Sequence, residues 1–143
     1  MMEYEIVEKL PSVEEYNQLR QSVGWGIYED DVIDKALPNS LYCVCAFVNA
    51  EIVGMARLIG DGGLVYYIQD TIIKPDYQRK GIGTNLMNKI MEYIRTHASH
   101  NSIIGLLSAK GKEQFYEHYG FVIRPTDRFG SGMTIFWTVE KAN

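Results

Sequence analysis

The stretch Asp70-Thr71-Ile72-Ile73-Lys74-Pro75-Asp76-Tyr77-Gln78-Arg79-Lys80-Gly81-Ile82-Gly83-Thr84 runs from a strand-like segment through a loop into a helix that opens on two glycines. The first N–H groups of a helix have no partner within it, and the macrodipole adds partial positive charge, so a diphosphate can rest there. Gly81 and Gly83 let the backbone approach such a ligand, and Arg79 and Lys80 bring full charges. Two familiar phosphate loops are excluded. There is no Gly-Lys-Ser/Thr as in the P-loop, and Leu86 stands where the dinucleotide fingerprint needs its third glycine. Taken alone, glycine-x-glycine before a helix is also compatible with an ordinary helix start.

Working outward, Val65–Ile73 reads as a strand, as do Leu41–Val48 and Glu51–Leu58, with Asn49-Ala50 as a tight turn and Gly60–Gly63 as a looser one. This is an antiparallel meander. Ahead of it, Tyr4–Leu10 reads as a first strand, and Ser12-Val13-Glu14-Glu15 is a capping box opening a helix to about Gln21. A second short helix is expected over about Glu29–Leu37, before Pro38. After the glycine loop, Leu86, Ile90, Met91 and Ile94 recur at helical spacing to about His97. A strand over Ser102–Leu107, a helix over about Lys112–Tyr119, a short strand from Phe121 and a last strand Thr134–Val139 complete the expectation.

The chain has 143 residues, 46% hydrophobic and 22% charged, as expected of one globular domain over residues 1–143. The N-terminal residues lack a signal-peptide pattern, and no apolar run approaches the roughly 20 residues that span a bilayer, so a cytoplasmic location without membrane attachment is expected. A net charge of −4 argues against nucleic-acid partners, which need a broad basic surface. Cys43 and Cys45 share a strand face and have no second pair nearby, so buried reduced thiols are expected rather than a metal site or a disulfide.

Gln78-x-x-Gly81-x-Gly83 resembles the Gln/Arg-x-x-Gly-x-Gly/Ala motif of the GNAT N-acetyltransferase superfamily, and Phe115-Tyr116-Glu117-His118-Tyr119-Gly120-Phe121 resembles its Phe-Tyr-x-x-x-Gly-Phe element. The element order, with two helices between the first two strands, is similar as well. The resemblance implies an α/β (α+β) fold: a mixed, mostly antiparallel central sheet of about seven strands, splayed between the fourth and fifth, with about four helices. Acetyl-CoA is the implied cosubstrate, and no metal is expected. Its pantetheine arm would pair with the backbone of Thr71, Ile72 and Ile73, and its diphosphate would rest on the amides of Arg79, Lys80, Gly81, Ile82, Gly83 and Thr84, with Gln78 a further cofactor contact. A backbone N–H at the opening would stabilise the developing oxyanion, a contribution of about 3 kcal/mol per donor.

The implied reaction is direct attack of a primary amine on the thioester. Tyr116 matches the family's general acid, and a phenol keeps its proton at neutral pH. Asp70 is the first candidate for the base, and it could equally hold a cationic amine or be a hydrogen-bonded structural acid. Gln69 could only orient groups, while His97, His100 and His118 read as structural or exposed. Many family members carry an asparagine shortly before the Phe-Tyr pair; here Ser108–Glu113 replaces it, and Lys112 or the backbone near Ala109 and Gly111 would contact the cofactor instead. Trp25, Tyr28, Tyr66, Tyr67 and Phe129 could wall an acceptor site for an aromatic or cationic amine, or simply pack the core. The C-terminal third is similar to bacterial and plastid members acting on small aromatic alkylamines. The alternatives are a peptide or protein N-acetyltransferase and a non-catalytic acetyl-CoA sensor; the resemblance also permits a homodimer.

Overall fold

The computed structural model describes residues 3–139. Its elements are β1 (Glu5–Val7), α1 (Val13–Ser22), α2 (Asp30–Ala36), a single 3-10 turn (Leu37–Asn39), β2 (Tyr42–Val48), β3 (Glu51–Gly60), β4 (Val65–Ile73), a second 3-10 turn (Pro75–Tyr77), α3 (Ile82–His97), β5 (Ile103–Leu106) and α4 (Glu113–Glu117). They fall into two compact units, one ending at Leu106 and one beginning at Leu107.

The first unit is a sheet of five strands in sequential order β1-β2-β3-β4-β5. The first four pair antiparallel, β2 to β4 as a meander and β1 after a connection through α1 and α2; β5 is parallel to β4, which requires a crossover, and α3 supplies it. Asn49 and Ala50 both have positive φ, 48° and 66°, the conformation that matches a two-residue hairpin to strand twist. Between β3 and β4, Asp61 Oδ1 accepts from the N–H groups of Gly63, Leu64 and Val65. Those donors favour the ionised form and hold the Asp61 carboxyl below its usual range.

Side-chain alternation along β2 puts the sheet's two faces to different uses. Cys43 and Cys45 are free thiols in a buried cluster with Tyr16 and Leu19 of α1, Ile33 of α2, Leu37, Met55 and Ile72. The intervening Val44 and Ala46 are equally buried, and α3 packs against β2, β3 and β4 through Leu86, Met87, Ile90 and Ile94. The Cys43–Cys45 hydrogen bond, with burial, pushes the Cys45 thiol far above its usual range, so it stays protonated and inert. The capping box of α1 forms in full: Ser12 Oγ accepts from Glu15 N at 3.1 Å, and Glu15 Oε1 accepts from Ser12 N at 2.8 Å.

The expectation is corrected in the second unit. Neither the strand from Phe121 nor the one over Thr134–Val139 forms, so five strands are described rather than about seven. Ile135, Phe136, Trp137 and Val139 are all at least 78% exposed, on both sides of the alternation. Strand-forming residue types make a strand only when a neighbour completes the ladder, and none does so here. The first strand and the Tyr116 helix are also shorter than their patterns suggest.

A Cβ on Gly60 would lie 2.1 Å from the carbonyl oxygen of Val65, with the backbone at φ +152°. Gly60→Ala should therefore lower unfolding free energy by about 2–3 kcal/mol, whereas Ser12→Ala should cost about 1 kcal/mol; urea denaturation followed by circular dichroism measures both.

Candidate active site

The strand β4 carries a defect that organises its surroundings. In the ladder with β3, Met55 faces Ile72 and Arg57 faces Gln69, so Asp70 and Thr71 together oppose the single residue Ala56. This is a β-bulge, with Asp70 in the left-handed region at φ 59°. Aspartate is among the few residue types that tolerate that conformation. The extra residue reverses the alternation: Tyr66, ahead of the bulge, donates its hydroxyl to His97 O on the α3 side, whereas Asp70 and Ile72 reach the α1 side. Tyr66 is thereby part of the α3 packing rather than an acceptor wall.

The same strand is left open at its other edge. β5 pairs only with Val65–Ile68 and ends at Leu106, so Gln69–Ile73 have no β5 partner. Hydrogen-bonding direction alternates along a strand. Lys74 N–H goes to Val53 O of β3, so Ile73 presents its N–H and C=O to the open edge, where Gln78 Nε2 donates to the carbonyl at 2.9 Å. Gln78, expected to touch the cofactor, thus ties the loop to the end of β4. Thr71 Oγ1 is buried with no hydrogen-bond partner among the described residues. A buried polar atom in that state marks a place prepared for a ligand group.

The loop then delivers the backbone to α3. Arg79 and Gly81 take positive φ, 61° and 87°, and Gly81 is the N-cap, with no side chain capping the helix. No acidic residue lies in the first turn of α3. Its leading N–H groups, from Ile82 and Gly83, therefore have neither a capping side chain nor an acidic neighbour in the first turn. The open edge, the orphaned Thr71 hydroxyl and this turn together fit an extended amide-bearing arm joined to a diphosphate, as in acetyl-CoA.

On the α1 side of the bulge lies a buried ion cluster that the sequence motifs did not reveal. The Asp70 side chain is 0% exposed. Its Oδ2 accepts from Tyr16 Oη at 2.8 Å, Arg57 Nε at 3.1 Å and Arg57 Nη2 at 3.0 Å; its Oδ1 faces Arg20 Nη1 at 3.5 Å and Gln69 Nε2 at 3.4 Å. Burial, then the Asp70 charge and hydrogen bond, push the Tyr16 phenol well above its usual range, so it remains a donor. Each oxygen of Asp70 is covered by donors, which leaves no lone pair directed at an incoming amine.

A cavity of about 260 Å³ adjoins this cluster, within the first unit. Arg20, Arg57, Gln69, Tyr16 and Tyr28 bring its polar groups, and Val32, Ile33 and Ala36 of α2 form an apolar wall. Of the expected acceptor aromatics, Tyr28 lines it, with the Arg20 guanidinium 4.6 Å from its ring centre. Trp25 packs on the core cluster and stacks with the same arginine at 5.4 Å. Tyr67 shares the half-buried face of β4 with Gln69. Arg57 and Asp70 are charges in adjacent, otherwise apolar strands, a pattern that calls for a partner to each when buried but does not name it.

In the second unit, Tyr116 lies in α4 with its ring edge-on to Phe115 and Phe121, Lys112 is the exposed N-cap residue of that helix, and Phe129 is flanked by Arg124 and Arg128. Among the described residues, no three His, Cys, Asp or Glu are grouped to hold a metal ion, and no helix is long and apolar enough to cross a membrane.

Residues 16–136, which run through both units, match the family described as acetyltransferase (GNAT) domain. An uncharacterised N-acetyltransferase of the red alga Pyropia yezoensis is 30% identical over 127 residues, covering 86% of this chain and 70% of the relative. A counterpart in Prochlorococcus marinus is 31% identical over 115 residues, covering 78% of this chain and 63% of its own length. Among solved structures, a protein of unknown function from Staphylococcus aureus superposes with a TM-score of 0.87 at 30% identity, covering 94% of this chain and all (100%) of that one. A GNAT-family acetyltransferase of Streptococcus pneumoniae superposes at 0.75 with 27% identity, over 97% and 100%.

Replacing Asp70 by Asn strands Arg57 and Arg20 against a neutral amide in a dry site. Breaking one partner out of such a cluster costs about 3–5 kcal/mol, so the Asp70→Asn midpoint in chemical denaturation should fall accordingly, with Tyr16→Phe costing about 1.5–3 kcal/mol.

Proposed function

The chain belongs to the GNAT acetyltransferase family, and on that premise we propose that it transfers the acetyl group of acetyl-CoA to the primary amine of a small molecule, residues 1–143 serving as one acetyltransferase domain. The observation that carries this reading is the bulged, unpaired edge of β4, which runs directly into the uncapped N-terminus of α3. An extended arm bearing amides and leading into a diphosphate is the ligand whose hydrogen bonds match those two features in sequence.

In this reading the thioester of bound acetyl-CoA supplies the activated acetyl group. The backbone of Thr71, Ile72 and Ile73 aligns the pantetheine arm, and the Thr71 hydroxyl gains the partner it otherwise lacks. The amides of Ile82 and Gly83 hold the diphosphate together with Arg79, Lys80, Gly81 and Thr84, and Lys112 is a further cofactor contact. The amine enters through the cavity between α1, α2 and β4, beside Tyr28, with Trp25, Tyr67 and Phe129 as the remaining acceptor candidates. Its nitrogen forms the amide bond as the carbon–sulfur bond breaks. Tyr116, matched to the family's acid by its Phe-Tyr motif, supplies the proton that the departing sulfur takes up, and the proton that the nitrogen loses passes through water to restore the phenol.

Asp70 acts in this scheme as a positioning residue. An amine could reach either of its oxygens only by displacing Tyr16 or an arginine, so its work is to hold the bulge, and hence the open edge, in place. The cavity's small volume favours a small acceptor over a folded polypeptide.

Thiol release from acetyl-CoA across an amine panel tests the reading, and absence of both turnover and any stabilisation by CoA would refute it. Tyr116→Phe should lower kcat at least tenfold at neutral pH with CoA affinity nearly unchanged. Gly81→Ala, forced into positive φ with a Cβ, should instead weaken CoA binding severalfold, read by calorimetry. If Asp70 only positions, folded Asp70→Asn should keep the shape of the wild-type pH profile of kcat/KM; loss of the acidic limb would make it the base.

A further inference from the structure

The cavity beside β4 carries an excess of positive charge that a bare amine would not call for. Its charged lining consists of Arg20 and Arg57, and no carboxylate contributes to the wall, since Asp70 lies behind them with its side chain 0% exposed. Two guanidinium charges against that one carboxylate leave a net charge of +1. Arg57 is fully engaged: Nε and Nη2 point to Asp70, and Nη1 donates to Ser40 Oγ at 3.3 Å.

Arg20 is different. Its Nε donates to Gly26 O at 2.7 Å, and its Nη1 faces Asp70 at a loose 3.5 Å. No hydrogen bond to its Nη2 is found among the described residues. Its guanidinium carbon lies 4.6 Å from the Tyr28 ring centre and 5.4 Å from that of Trp25, and its side chain is only 12% exposed. A held, largely dry guanidinium with unspent donors is the arrangement that recognises a carboxylate or phosphate, because the charge-assisted hydrogen bonds form without further ordering of the side chain.

Resting on the acetyltransferase reading, we propose that the acceptor is a small amine that also bears an acidic group, carboxylate or phosphate, bound at Arg20, with its apolar body against Val32, Ile33 and Ala36. The charge excess serves the chemistry twice. It anchors the acidic group, and it disfavours the ammonium form of the acceptor, so that the nitrogen arrives with its lone pair available for attack. A polyamine or other purely cationic acceptor would meet repulsion at both steps. This departs from the cationic acceptor that the aromatic residues alone suggested.

The test uses matched pairs on the full-length protein with acetyl-CoA: phenylalanine against phenethylamine for a carboxylate, phosphoethanolamine against ethanolamine for a phosphate, and putrescine as the cationic arm. At least one acid-bearing member should exceed its partner lacking the acid by tenfold or more in kcat/KM, and the better pair identifies the acidic group. Arg20→Gln should reduce that ratio about tenfold, and Arg20→Lys, which keeps the charge but not the fork, should lie between.

A second readout needs no turnover. With CoA present, 3-phenylpropanoate should raise the melting temperature more than 3-phenylpropanol, and Arg20→Gln or, should it not fold, Arg20→Lys should diminish the difference. Neutral or cationic amines ranking first in every comparison would overturn the proposal while leaving acetyl transfer intact. If every amine is inert, equal shifts by acid and alcohol overturn it. Inert amines together with no stabilisation by CoA would instead remove the acetyltransferase reading itself.

Discussion

One buried carboxylate governs the geometry of this protein. Asp70 sits in the left-handed region of φ inside a strand, a conformation that costs roughly 1–2 kcal/mol for most side chains. The strain persists because Tyr16, Arg57, Arg20 and Gln69 surround its two oxygens. Without those donors the burial of its charge would be prohibitive, and without the bulge the side chain would point toward α3, away from them. Strain and ion cluster hold each other in place.

From that defect the rest of the site follows. β4 pairs with β5 for four residues, Val65–Ile68; past the bulge Ile72 and Ile73 keep their pairing with β3 but have no β5 partner. Unsatisfied ladder groups at a sheet edge are ordinarily a hazard, because they invite another chain. Here the edge is short, it lies between the bulge and the loop that Gln78 ties down, and the loop carries the chain at once into a helix N-terminus. Free backbone groups and a helix dipole are thereby set end to end on one continuous segment, so that a single extended ligand can satisfy both.

The opposite side of the same residue shapes the cavity beside α1 and α2. The arginines that neutralise Asp70 outnumber it, and the surplus charge faces the open space between α1 and α2. Recruitment of Arg20 from α1 also explains the cluster of aromatics after that helix. Trp25, Tyr28 and Tyr16 all lie within 6 Å of its guanidinium as packing partners of a cation, which makes them less a wall for a cationic substrate than the setting of one already present.

What the sequence by itself determined is the local part: the capping box at Ser12, the turn at Asn49, the glycine turn before α3, the apolar stripe of α3 and the Phe-Tyr motif. Each depends on interactions within a few residues or on helical spacing, which one chain segment already contains. Only the tertiary structure decided that Arg57 and Arg20 meet at Asp70, because pairs separated by 13 and 50 positions come together through strand register and helix packing, which no local pattern encodes. Among the described residues no strand forms at Phe121 or over Thr134–Val139, although their residue types favour extension, for a ladder is a property of two segments and residue type alone does not supply the second.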